Sequence, residues 1–172
     1  MSVHEEVEEH VHHAQDPFDK IVAGTMAIMA ALLAIISVLG QHFNTEELLL
    51  QGKASDQWAY YQAKDIRRFT AEATRDLTSA VKPGTPVAGT YSQLANRYKN
   101  DAQKVQTEAR QFEHERDEKA REATRFHFAE VFVEVAIVFA SLAILTKVRP
   151  LFLAGIVSAA VGIIIAATAW VF

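Results

Sequence analysis

The sequence predicts an all-α membrane protein: three transmembrane helices, with a long antiparallel, coiled-coil-like helical hairpin between the first and the second. Three observations predict it. Residues 21–39 and 151–172 carry no charged side chain over 19 and 22 residues. At about 1.5 Å per residue, each stretch covers roughly the 30 Å of a hydrocarbon layer. A third stretch, 126–146, is charged only at Glu130 and Glu134. Leading into it is a stripe at 4-3 spacing: Tyr91, Ala95, Tyr98, Ala102, Val105, Ala109 and Phe112. After Arg116 and Lys119 the register continues through Ala123, Phe126, Glu130, Val133, Ile137, Ala140 and Ile144. Such a stripe lies along one side of a single long helix, and large residues alternating with alanine let a partner helix approach.

Half of the 172 residues are hydrophobic, yet charged runs separate the apolar stretches, which fits spans plus a soluble part rather than one globular core. Residues 1–19 hold six acids and four histidines, with no basic side chain. This acidic tail has two readings. It is a solvated segment, or His4 and His12, on one helix face with Glu8, form a metal- or proton-responsive element. The first span is expected over 20–40. Its acidic flank and long apolar run do not suit a cleaved leader, so it is read as retained. Ala27, Ala30, Ala31 and Ala34 give it small residues for close helix contact.

Residues 40–43 should leave the membrane, with Asn44 or Thr45 capping a new helix and Glu46 and Glu47 in its first turn. Residues 41–125 then form the hairpin. Its tip is the Pro/Gly-rich stretch 82–90, and Ala59, Ile66, Phe69, Ala73, Leu77 and Ala80 line the inner face of its first arm. Folding at the tip sets residue i near 172 minus i, so Ala73 should face Tyr98, and Trp58 and Tyr61 should lie near Phe112. The second span is expected over 126–147 and the third over 150–172. Gly155, Ala159, Gly162 and Ala166 give the third a stripe of small residues, to meet the first span or another subunit. Trp170 and Phe172 suit a membrane interface. The short turn Lys147-Val148-Arg149-Pro150 carries two cations, which argues for a cytoplasmic side there. The amino terminus is then cytoplasmic, and the hairpin and carboxyl terminus lie on the opposite side.

The run Asp56-Gln57-Trp58-Ala59-Tyr60-Tyr61-Gln62-Ala63-Lys64 resembles a bacterial membrane family catalogued as a domain of unknown function. Asn44-Thr45-Glu46, residues 136–141 and the Lys147–Pro150 turn add to the likeness, which covers residues 16–172. The resemblance implies one span, a helical insertion, two closing spans and a bacterial inner-membrane location. It implies no activity.

The candidate intramembrane polar site is His127, Glu130 and Glu134, one helix face at i, i+3 and i+7. A carboxylate at that depth must be neutral, paired or facing water. It either hydrogen-bonds Thr25, Ser37 or Ser158 on a neighbouring span, or contributes to carboxylate rings in an oligomer. Trp58, Tyr60, Tyr61 and Phe112 form the candidate hairpin or interface cluster. No phosphate loop, nucleophile elbow or zinc-protease motif occurs, no cofactor is implied, and the absence of cysteine removes disulfides and thiolate metal sites. Basic residues interleave with acids, which speaks against nucleic acid. The expected partners are the bilayer and other copies of the chain. The leading expectation is a non-enzymatic, homo-oligomeric inner-membrane protein whose hairpin mediates assembly or partner binding. The alternatives are a small cation or proton channel using Glu130 and Glu134, and a metal-responsive accessory subunit.

Overall fold

A computed structural model of the chain describes residues 17–169. Three α-helices follow one another: α1 Pro17–Val81, α2 Pro86–Thr146 and α3 Arg149–Thr168. Each contains a segment long and apolar enough to cross a membrane. The architecture is an all-α bundle with three membrane-spanning helices. The proposed metal pair His4 and His12 lies outside the described residues, as do Trp170 and Phe172.

α1 runs unbroken through 40–45, so the expected new cap at Asn44 or Thr45 is corrected. Gly40 is there to let α2 approach. A Cβ added to it would stand 3.2 Å from the Cβ of Phe126, and one turn on, Phe43 stacks on the Phe126 ring at 5.3 Å. The turn between α1 and α2 is also shorter than expected. Gly84, at φ 78, supplies the left-handed residue, and Pro86 already stands at the start of α2.

The contacts divide the chain into two units. The first comprises the described residues up to Asn44 together with those from Ala120 onward. Its core joins Met29, Ile36, Phe126, Ala129, Val133, Ala136 and Ala159, with Leu33, Phe43, Ile137 and Ile165 against them. Here Gly155 and Gly162 of the stripe on α3 meet α2. A Cβ on Gly162 would lie 2.8 Å from the Ala129 carbonyl oxygen, and one on Gly155 3.0 Å from that of Ala136. Lipid tails are as apolar as leucine, so helices in a bilayer gain by close packing, and backbone contact through glycine and alanine provides it. At one end, the ammonium of Lys147, which closes α2 at φ 57, pairs with Asp19. At the other, Arg125 donates to the Thr168 carbonyl at 2.9 Å and satisfies the carboxyl end of α3.

The second unit is Thr45–Lys119. Every member of the stripe from Tyr91 to Phe112 on α2 is buried or half-buried. The expected partner face on α1 is corrected. Ala59, Ile66, Phe69, Ala73, Leu77 and Ala80 are all exposed, with Ile66 at 65%, Phe69 at 55% and Leu77 at 68%. The face turned to α2 instead carries Ala54, Trp58, Tyr61, Lys64, Arg68 and Ala71. Two alanines set the approach, and the long side chains between them lay their stems in the seam and reach polar partners at its edges. The register moves with the face. Gln57–Glu108, Lys64–Asp101 and Glu46–Lys119 each add to 165 rather than 172, though Trp58–Glu113 adds to 171.

Two outcomes check this packing. Gly162→Val should cost about 1–3 kcal/mol by forcing α3 off α2, whereas Gly52→Ala, with nothing within 4 Å of the new Cβ, should gain roughly 0.4–1 kcal/mol; thermal midpoints in detergent read both. A short bismaleimide should join Ala71→Cys to Leu94→Cys within one chain far faster than Ala73→Cys to Tyr98→Cys. The reverse order would restore the 172 minus i register.

Candidate functional site

The polar side chains of span 2 take their place from its buried face. Phe126, Ala129, Val133, Ala136, Ala140 and Ala143 point inward. Each residue turns about 100° around a helix, so Glu134, next to Val133, must point away. His127, Glu134 and Ser141 follow one another at seven-residue steps on that outer face, and all three are exposed. Glu130 sits at its border. The His127 Nδ1 lies 3.7 Å from Glu130 Oε2, with the imidazole 77% and the carboxylate 25% exposed.

Glu134 has no hydrogen bond or ion pair among the described residues. The expected partners on neighbouring spans are corrected. The Ser158 hydroxyl donates to the Phe132 carbonyl at 2.8 Å, and the Thr25 hydroxyl to the Ile21 carbonyl at 2.8 Å. Ser37 does not reach Glu134 either. The Ser158 and Thr25 hydroxyls lie against backbone carbonyls of helices, where small polar side chains are readily satisfied. Glu134 is surrounded instead by Val131, Val135 and Val138, all exposed. It stands about 18 Å from the Thr146 end of α2, Glu130 about 24 Å, and His127 about 28 Å.

In the second unit Trp58 and Tyr61 meet edge to face at 5.5 Å, and the Trp58 indole donates to Glu113 at 2.9 Å. Phe112 receives Lys53 over its ring at 5.8 Å. Tyr60 points elsewhere and is exposed, under the ammonium of Lys64 at 5.1 Å. Lys64 closes the Asp56–Lys64 run but stood outside the cluster expected from the sequence. It bridges the helices to Asp101 at 3.1 Å and lies 5.8 Å from the Tyr98 ring. The Tyr60 hydroxyl and then Asp101 hold its ammonium above the ordinary value of 10.5. The i,i+4 pair Tyr60–Lys64 was the available signal. Arg68 likewise binds Asp65 at 2.8 Å and Glu72 at 3.4 Å, and the Asp65 carboxylate raises its value further. Beside this seam Arg67, Thr70, Ala71, Thr74, Tyr91 and Leu94 line a shallow groove.

Among the described residues no three His, Cys, Asp or Glu side chains are grouped to hold a metal. Helices long and apolar enough to cross the bilayer, packed through small residues, define a multi-span helical membrane protein. The chain belongs to the family described as domain of unknown function DUF4337, whose model matches residues 18–172. No curated protein and no solved structure matches it.

The Lys64 bridge gives the second unit an alkaline limit. A raised value in the folded state stabilises fully below 10.5, and that contribution is lost as the pH climbs through the raised value. The thermal midpoint should therefore fall at strongly alkaline pH, and Lys64→Met should flatten that part of the profile.

Proposed function

We propose that copies of this chain assemble in the bilayer into a small cation- or proton-conducting oligomer, with the His127–Glu130–Glu134 face of span 2 lining the seam between copies. One observation carries the reading: Glu134 stands at membrane depth, outward and unpartnered among the described residues. A charged side chain against lipid at the helix centre costs about 2.5–3.5 kcal/mol even on lenient scales. A second copy that turns the same face inward removes that cost and gathers carboxylates around a wet path. The span limits 20–40, 126–147 and 150–172 belong to this proposal. So do a bacterial inner-membrane location and the orientation with Lys147 and Arg149 on the cytoplasmic side.

A second reading assigns assembly or partner binding to residues 41–125, as an antiparallel coiled-coil-like hairpin turning at 82–90. The falling register of Gln57–Glu108 and Lys64–Asp101 supports the pairing. The outward row Ile66, Phe69 and Leu77 supports an interaction surface. Trp58, Tyr61 and Phe112 then stabilise the hairpin, and Tyr60 faces what binds it.

Mass in mild detergent and ion flux in liposomes test the first reading. The expected mass is a multiple of the 19.1 kDa chain, with flux that falls in Glu134→Gln and, to a lesser degree, in Glu130→Gln. A monomer leaves no seam and overturns it, as does wild-type protein that conducts nothing.

A further inference from the structure

We propose that the ion is the proton and that Glu134 is the group it loads; this rests on the oligomeric reading above and narrows it. Spans 1 and 3 bring no titratable side chain between residues 21 and 39 or between 151 and 169. Every element packed against span 2 is therefore silent at this depth, and Glu134 is the deepest ionisable group of the described bundle. Around the His127 end, the charged or titratable groups of the same unit are His42 on α1 and Arg121, Glu122 and Arg125 on α2. Arg125 is engaged with the Thr168 carbonyl. At the opposite end, Lys147 is paired with Asp19.

The spacing along the polar face separates the proton from metal cations. His127 and Glu130 stand 3.7 Å apart at one end, an imidazole and a carboxylate that can each carry a proton. Glu134 follows one turn deeper. Beyond it the face offers Ile137 and Val138, and the next polar group is Ser141, about 10.5 Å on. A metal cation stripped of water needs several oxygen ligands, six or more for calcium or magnesium. This interval has none to give: the hydroxyls of Ser158 and Thr25 are spent on backbone carbonyls, and that of Ser37 does not reach Glu134. With its hydration shell intact, such an ion meets an apolar constriction that excludes it by dewetting. A proton needs one lone pair. It binds the Glu134 carboxylate, which becomes neutral and tolerable in lipid, and leaves along a transient file of water. One O–H bond forms and the same bond breaks, with nothing oxidised or reduced.

The full chain in phosphatidylcholine vesicles tests this: a trapped pH dye follows protons under a potassium diffusion potential set by valinomycin, and separate ionophore-free vesicles under sodium or potassium gradients report those ions. The expected result is proton movement that follows the potential, with sodium and potassium near the protein-free level. Glu134→Gln should lower it by roughly ten-fold or more, and Glu134→Asp should keep part of it. Independently of any variant, dicyclohexylcarbodiimide should block the wild-type flux and label Glu134, the carboxyl O–H adding across one C=N bond. Sodium or potassium flux equal to or above proton flux overturns the proton assignment and leaves the conducting oligomer standing. Proton flux unchanged in Glu134→Gln, or block with the label elsewhere, overturns the role of Glu134. A monomer with no flux of any ion overturns both readings together.

Discussion

The contact on which the membrane unit depends is the approach of α3 to the backbone of α2. Gly162 stands where a methyl group would strike the Ala129 carbonyl, and Gly155 repeats this one heptad earlier against Ala136. Two backbones this close admit only one rotation of α2. Ala129, Val133, Ala136 and Ala140 must face inward, and the residues about 100° around the helix must face out. Glu134 is exposed because Val133 is buried. The most consequential side chain in the bundle thus owes its position to glycines on another helix. No mutation of Glu134 itself would reveal that dependence.

The second unit solves a different problem. α1 turns its apolar row outward here and meets α2 with alanine, aromatic and charged side chains. Ala54 and Ala71 set the separation. Trp58, Lys64 and Arg68 then bury their stems and end on carboxylates, so the seam gains packing and charge-assisted hydrogen bonds together. This leaves Ile66, Phe69 and Leu77 as a ridge that water solvates poorly. The two units share a theme. Each turns outward side chains that its helices leave without a partner face: a carboxylate amid valines in one, an apolar row in the other.

Much of this was legible in the sequence. Two spans followed from charge-free length and the third from a stretch charged only at Glu130 and Glu134. The 4-3 stripe gave the buried face of α2 over 91–112, while within the span Ala129, Ala136 and Ala143 are buried in place of the stripe's Glu130, Ile137 and Ile144. The inner face of α1 was not legible, because counting apolar residues rewards Ile66 and Phe69 over Lys64 and Arg68. Only the partner helix, with Asp101 and Glu113 at the right levels, reveals that the polar row is the one in contact. The helix start expected at Asn44 or Thr45 failed for a related reason. A glycine after an apolar run signals a helix end or a close approach, and Phe126 decides between them from some 86 residues away in the chain. The outward aim of Glu134 was hidden likewise, since a lone acid in a span has the same appearance whether it faces a neighbour or lipid.

The central claim is that the outer face of span 2 is covered by another copy of the chain. The protein contains no cysteine, so a single introduced thiol reports without ambiguity. Ser141 lies on that face and Ala140 on the buried one. Oxidation in intact membranes should link Ser141→Cys chains into covalent dimers and leave Ala140→Cys chains single. Equal linkage at the two positions, or none at Ser141, would contradict the account.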